Sequence, residues 1–320
     1  SYLAAGSNEY YYGAGHMFGE DTKLGQDTAA IDAVFGQSDT YVLLVPAGDT
    51  ATQSELSAAL RALPQVTGII SYVDTAGAEI PPGYLDDATL AQLVSDGCTR
   101  MVVSVAADFE GDAAFALVEQ VRAIAERYYP GSWYLAGQGV STYDLMDTIT
   151  DDMAKVNFVA IAAVFLVLLV LERNLILPIV LVLSIETAIW FNLAIPYFAG
   201  TVVFYIAYLI ISSVQLGATV DYAILFSDRY REYRQTLGKK PAIAATVATV
   251  TVSVLTTGSG LAVVGFLMGA ISTNQLLAQL GNFLGVGSLA SLSIVLLALP
   301  GILYLIDPLI VKRPSAPKEV

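Results

Sequence analysis

Asp221 is the residue of this sequence best placed to do chemistry. It sits in Gly217-Ala218-Thr219-Val220-Asp221-Tyr222, deep in a long apolar run, and no other charged or amide side chain occurs between Gln215 and Asp228. A charge inside such a run costs about 2.5 to 3.5 kcal/mol on insertion scales, so it needs a reason. Apolar surroundings disfavour the ionised carboxyl, which can then take up and release a proton at working pH. A proton-driven machine requires that exchange, because one proton crossing a membrane releases about 2.3 kcal/mol per 100 mV. Tyr222 brings a hydroxyl beside it, although adjacent side chains on one helix diverge and Tyr222 would serve a partner helix equally well. The alternative is a structural carboxyl hydrogen-bonded to a neighbouring helix.

A second polar pattern follows. Thr246, Thr249, Ser253, Thr256 and Gly260 recur at three and four residues, one small, hydroxyl-bearing face of a helix that would support a proton relay or a water file. Close packing of small residues explains the same pattern, and Gly217, Gly265-xxx-Gly269 and Gly281-xxx-Gly285 invite that reading. Glu186, followed by Trp190 and Asn192, lies halfway along another apolar run. Too deep to reach the interface, it should face protein, a cavity or a partner subunit, with support of the relay as its other role. Lys155, Glu172 and Arg173 stand at span ends, where snorkelling suffices. Arg229, Arg231, Arg234, Lys239 and Lys240 read as topology anchors, or as contacts for anionic lipid. His16, in Gly13-Ala14-Gly15-His16-Met17-Phe18, reads as a surface-loop histidine.

The elements that must position these residues follow from composition. Of 320 residues, 55% are hydrophobic and 14% charged, with a mean hydropathy of +0.63. Ordinary soluble chains carry about 25% charged residues, so a wholly soluble or disordered protein is excluded. A net charge of −14 also repels nucleic acid. One cysteine, Cys98, and one histidine leave no intramolecular disulfide and no His-rich metal site. No GxxxxGK[ST] loop supports ATP-driven transport, and no GxSxG elbow supports a hydrolase. Gly137-Gln138-Gly139 and Gly258-Ser259-Gly260 are turn and packing features. The expectation is a non-enzyme that uses a proton gradient and neither metal nor cofactor.

Charge divides the chain near Lys155: residues 1–155 have a net charge of −16 and residues 156–320 of +2. This marks an acidic, water-exposed domain followed by a membrane domain. Five apolar runs, at about 153–171, 175–196, 202–228, 242–268 and 276–306, approach the roughly 20 residues that a bilayer helix needs. The Glu172–Asn174 and Arg229–Lys240 loops and the tail 312–320 carry the Lys/Arg of this half. The positive-inside rule therefore puts them in the cytoplasm and puts residues 1–152 outside. An external domain before five spans predicts a further span or signal upstream, since no signal-peptide pattern opens the sequence.

Within the external part, 1–39 reads as a linker and 40–152 as an α+β domain. Strands are expected at Thr40–Val45, Val66–Val73, Arg100–Ala106 and Ser132–Ala136. Helices are expected at Thr52–Leu63, Leu85–Val94 and Asp112–Tyr128, with a Pro81-Pro82-Gly83 turn. Strand-helix-strand twice over is the split βαβ, ferredoxin-like arrangement. A helix from Ser141 through Asp144, Asp147, Asp151 and Asp152 would continue into the first span, as a rigid coupling or simply as a connector.

With these features in view, the sequence resembles the C-terminal half of transporters of the RND superfamily, most closely the MMPL (mycobacterial membrane protein large) branch. The residues that carry the resemblance are Gly217-Ala218-Thr219-Val220-Asp221-Tyr222, then Phe226, Ser227, Arg229, Tyr230, Arg231-Glu232, Gly238 and Pro241-Ala242-Ile243. The resemblance covers nearly the whole chain, with 40–152 similar to one porter domain and the runs similar to the last five of twelve spans. It implies a proton relay at Asp221 and Tyr222, met at the membrane centre by a second Asp-Tyr element from the N-terminal half. It also implies export of lipids or other hydrophobic compounds, with that N-terminal half or a second subunit as partner and a homo-oligomer open. Two other functions remain open: a membrane-anchored external binding or sensor module, and a relative that assists protein secretion or moves sterol.

Overall fold

The computed structural model describes residues 2–81, 84–172 and 174–310. Arg173, Pro82-Gly83 and the tail from Lys312 lie outside the described residues. The chain forms two compact units. One is an α+β unit of Tyr12–His16 and Glu20–Thr150; the other is a helical unit of Ser1–Tyr11, Met17–Gly19 and Asp151–Val320.

In chain order the first elements are α1 (Tyr2–Ala5), β1 (Tyr10–Tyr11), α2 (Lys23–Phe35), β2 (Asp39–Pro46), α3 (Thr50–Arg61), β3 (Val66–Ile70) and α4 (Tyr72–Thr75). Next come α5 (Asp87–Leu93), β4 (Val94–Ser95), β5 (Cys98–Val105), α6 (Asp112–Tyr128), β6 (Tyr134–Ala136) and α7 (Gln138–Glu172). The chain continues through α8 (Ile176–Ala199), β7 (Val203–Phe204), α9 (Tyr205–Arg234), α10 (Lys239–Ile271), α11 (Gln275–Ser293), a π-helical turn at Ile294–Ala298 and α12 (Leu299–Ile310).

The sheet of the α+β unit runs β3-β5-β2-β6, every pairing antiparallel, with β4 on β5. Alternate residues of β2 (Tyr41, Leu43, Val45) and β5 (Met101, Val103, Val105) are buried against Leu56 and Leu60 of α3 and Leu117, Val118 and Val121 of α6. One sheet face is thus covered by helices, as the alternation along each strand requires. The second strand stops at Ile70 and not at Val73. The Ser71 hydroxyl accepts from the Asp74 amide and donates to its carboxylate, which starts α4 there. Helix α7 begins at Gln138 instead of Ser141 because Asp39 Oδ2 accepts the Gly139 amide at 2.7 Å. A Cβ at Gly139 would lie 2.6 Å from that oxygen, so only glycine admits the contact.

In the helical unit, α7, α8, α9, α10 and the Gln275–Ile310 stretch are long and apolar enough to cross a membrane among the described residues. Their ends run beyond the apolar runs. Pro241 falls in the first turn of α10, where its missing N–H costs nothing, so α10 starts at Lys239. Gly200, at φ 64°, closes α8 by donating to Pro196 and Tyr197. The 1–39 segment is shared between the units: Tyr10–Tyr11 pairs with Val203–Phe204, Asn8 Nδ2 donates to Leu193 O at 2.8 Å, and the Gln275 amide donates to Met17 O at 2.8 Å.

Helices α10 and α11 cross in close contact. A Cβ at Gly265 would sit 2.5 Å from Gly285 N and 2.8 Å from Gly281 O, and one at Gly281 would sit 2.6 Å from Gly265 O. Backbone meets backbone where side chains are absent, the way helices associate in lipid. Gly217 and Gly260 have nothing within 4 Å of such a Cβ, so they face open space among the described residues. Gly281→Ala should therefore lower the stability of the detergent-solubilised protein by about 1–3 kcal/mol, the usual cost of overpacking. Gly260→Ala should leave it unchanged or slightly higher. Equal thermal unfolding midpoints for the two variants would refute the assigned crossing.

Candidate proton-relay site in the helical unit

Helix α9 buries one side, with Ala207, Ile211, Gln215, Thr219, Ala223 and Phe226 turned into the bundle. Its other side carries Ile206, Ile210, Val214, Gly217 and Asp221, all exposed. Asp221 thus sits in an apolar, small-residue stripe that no other helix of the unit covers, and no hydrogen bond or ion pair reaches it among the described residues. Tyr222, the next residue round the helix, is half-buried against the core cluster. The two side chains diverge as consecutive helical positions must.

The hydroxyl face of α10 is divided. Thr246 is buried and donates to Ala242 O at 2.8 Å, whereas Thr249, Ser253, Thr256 and Gly260 are exposed. The reason is the pitch of the helix. The buried residues Ala242, Thr246, Val250, Val254, Gly258 and Ala262 recur every fourth residue. Each such step advances by about 40°, so the buried stripe turns away from the later hydroxyls. Thr249 donates to Ala245 O at 2.9 Å and meets the Tyr233 hydroxyl at 3.0 Å; Thr256 donates to Val252 O at 2.7 Å. None of these hydrogen bonds leads to Asp221.

Glu186 is 4% exposed in the middle of α8, and its Oε1 has no partner among the described residues. Two turns on, Asn192 opens a network that sequence reading did not assemble. Asn192 Nδ2 donates to Gln215 Oε1 and to Phe283 O, both at 2.9 Å. Gln215 Nε2 donates to Gly287 O at 3.2 Å and to Ser291 Oγ at 3.3 Å. Helices α8, α9 and α11 are thereby tied at mid-length. Gly287 makes room for it, since a Cβ there would lie 2.5 Å from Gln215 Oε1. Two amides on separate apolar runs, met by carbonyls and a hydroxyl of a third, give no common sequence signal; their depth within each run was the available clue.

The ends of α9 and α12 hold buried charges. Glu172, read from the sequence as snorkelling, is instead 2% exposed and paired with Arg231, and it accepts from Ser227 Oγ at 3.2 Å. Asp307 accepts from Tyr230 Oη at 2.7 Å and Arg234 Nε at 2.6 Å, with Lys239 Nζ at 3.4 Å. Asp307 went unread in the sequence, although a carboxylate in the last turn of an apolar run, opposite a basic loop, is the kind of signal that finds it. Lys155 is exposed and paired with Asp152 at 3.3 Å. Among the described residues no cluster of three or more His, Cys, Asp or Glu could hold a metal.

In the α+β unit, His16 is more than a loop residue: its Nε2 lies 3.1 Å from Glu110 Oε1. Glu110 Oε2 accepts the Tyr12 and Gly13 amides at 2.9 and 3.0 Å. The hydrogen bond to Glu110 raises the His16 imidazole above its ordinary value. Burial would raise Glu110, but the bonds from His16, Gly13 and Tyr12 together hold it below the usual carboxylate range. The histidine's contribution is complete below about pH 6.5 and lost as pH rises through its raised value. The carboxylate's is complete above about pH 4.3 and lost as pH falls through its lowered one.

A family model described as MMPL family matches residues 16–316. The chain is 27% identical over 308 residues to the "putative membrane protein SCO0839" of Streptomyces coelicolor, covering 88% of this chain and 40% of that protein. The probable transport protein MmpL9 of Mycobacterium tuberculosis is 26% identical over 265 residues, covering 75% of this chain and 27% of MmpL9. Among solved structures, the crystal structure of a heavy metal efflux pump matches 87% of this chain and 37% of that chain, with a TM-score of 0.51 and 14% identity. At that identity the likeness is one of fold. The chain spans two fifths or less of the length of each of these relatives.

Alanine at Asn192 and at Gln215, singly and together, should show a coupling of roughly 0.6 to 1.7 kcal/mol in detergent unfolding, as interhelical hydrogen bonds in membranes do. Additive effects would refute the amide network. His16 is the chain's single histidine, so its imidazole resonance is unambiguous. Its titration midpoint should lie above about 6.5 and fall towards that value in Glu110→Gln; a native midpoint at or below it would dissolve the pair.

Proposed function

The chain belongs to the MMPL family, and on that premise we propose that it is the C-terminal part of a proton-driven exporter of lipids or other hydrophobic compounds, with Asp221 as its intramembrane proton carrier. Family membership supports the transporter role. The observation that carries the finer reading is the place of Asp221. It lies near the middle of α9, about 24 Å from its start and about 20 Å from its end at 1.5 Å per residue, on a stripe that the described helices leave uncovered.

An ionised carboxylate facing lipid there would cost about 2.5 to 3.5 kcal/mol, so the stripe requires protein or water against it. The chain spans only part of its relatives' length, which leaves room for a second helical bundle as that cover, with its own Asp-Tyr element facing Asp221. Tyr222, turned towards the core, then acts through neighbouring helices. Thr249, Ser253 and Thr256, exposed on α10, serve as relay support. Thr246 and Glu186 act from inside the bundle.

In this reading the α+β unit is an extracytoplasmic porter domain. Its antiparallel β6-β2-β5-β3 order, with α3 and α6 over one face, fits the split βαβ arrangement. The basic ends of α9 and α10 and the C-terminus face the cytoplasm of a bacterial cell membrane. The proton gradient stands in for a cofactor. The partners are the N-terminal part of the same transporter or a second subunit, the hydrophobic cargo and the surrounding lipid.

In the complete protein, Asp221→Asn should abolish export driven by a proton gradient while leaving expression and membrane insertion unchanged. Export at the native rate in that variant would overturn the assignment. Tyr222→Phe should lower the rate and shift its pH profile.

A further inference from the structure

Five basic residues crowd the ends of α9 and α10, and four of them are occupied. Arg229 pairs with Glu232 at 2.6 Å, Arg231 with Glu172, and Arg234 and Lys239 with Asp307 at 2.6 and 3.4 Å. Lys239 is held a second time, over the Tyr304 ring at 5.7 Å from its centroid. Lys240 is exposed and has no carboxylate partner among the described residues. The inner lysine is thus spent on the fold, and its neighbour is left with an uncompensated charge.

That charge stands at the mouth of a groove. Between α10 and α12 an open cavity of about 320 Å³ is lined by Lys240, Ile243, Ala244, Pro300, Gly301 and Tyr304. Apart from the lysine and the tyrosine hydroxyl, the lining is aliphatic. Gly301 widens it, since a Cβ there would meet nothing within 4 Å. Both walls are helices long and apolar enough to lie in a bilayer. The free cation marks the end of the groove where a membrane's headgroups begin, and lysine on an apolar helix reaches for that level. The π-helical turn at Ile294–Ala298, immediately before Pro300, is a local departure of the kind often found at functional sites.

We propose that this groove binds one anionic phospholipid, with an acyl chain along Ile243, Ala244, Pro300 and Gly301 and the phosphate at Lys240. Charge complementarity and an apolar trough select this occupant: an extended peptide would leave backbone groups unpaired in hydrocarbon, and a free phosphate would leave the trough empty. Asp221 is not among the lining residues, and the site stands whether or not the protein is an exporter.

Native mass spectrometry of the purified full-length protein tests the site, with phosphatidylglycerol, phosphatidylcholine and glycerol phosphate as probes. One phosphatidylglycerol should be retained about fivefold better than phosphatidylcholine, the ratio that one lysine near a charged headgroup supplies. Lys240→Gln should erase that preference, and Gly301→Leu, which fills the groove, should lower retention of both lipids. Both positions are exposed and free of contacts that either change would break, so the variants should elute and unfold as the native protein does. Arg229→Gln, on the same side but away from the groove, should leave retention unchanged, and glycerol phosphate should displace nothing. The proposal falls if both groove variants keep native retention, if phosphatidylcholine binds equally well, or if Arg229→Gln acts as strongly as Lys240→Gln. Displacement by glycerol phosphate would assign the site to the headgroup alone and equally overturn it.

Discussion

Inside hydrocarbon, apolar helices gain nothing by leaving lipid for one another, so contacts of another kind must decide how they associate. In this protein two kinds do so. Helices α10 and α11 meet backbone to backbone across Gly265, Gly281 and Gly285, where a single methyl group would collide. Helix α9 is tethered through polar side chains, at mid-length by Gln215 to Asn192, Gly287 and Ser291, and near its end by Tyr230, Arg231 and Arg234 to Asp307 and Glu172. Removing one member of such a set strands the other in a medium that cannot solvate it. The tethers therefore fix the rotation of α9 about its own axis.

That rotation decides what Asp221 can do. With Gln215 and Thr219 turned into the bundle, Asp221 is carried to the opposite side, together with Ile206, Ile210, Val214 and Gly217. The same geometry that ties Asn192 to Gln215 leaves the Asp221 carboxyl without a partner among the described residues. A carboxyl so placed is a functional candidate because nothing about packing the visible helices requires it. Glu172 and Asp307 make the contrast: both are buried and paired with arginines, and both hold helix ends together. The carboxylates at the helix ends thus have arginine partners, whereas Asp221, near the middle of its helix, has none among the described residues.

Much of this was legible beforehand because its causes are local. Five spans follow from run length and charge, α6 from its 3.6-residue apolar period, and the main strands from alternation. Where the sequence misled, a contact from elsewhere in the chain or a cap intervened. Ser71 ends β3 by capping α4, and Asp39 starts α7 three residues early by taking the Gly139 amide. Glu172 looked like an interfacial residue because Arg231, its partner, is 59 positions away. The hydroxyl series on α10 looked like one face because small steps of three and four hide the slow drift of the stripe that is buried.

By itself, the sequence determined the charge and apolarity of each half, the number of apolar spans, the alternation of strands and helices and the anomaly of Asp221, because each is a property of neighbouring residues. Tertiary structure alone decided which polar groups meet: Asn192 with Gln215, Tyr230 and Arg234 with Asp307, and His16 with Glu110. Those pairings depend on helix rotation and on chain segments far apart in number, and neither leaves a period in the sequence. Depth in the membrane is written along the chain, whereas facing is settled only when helices pack.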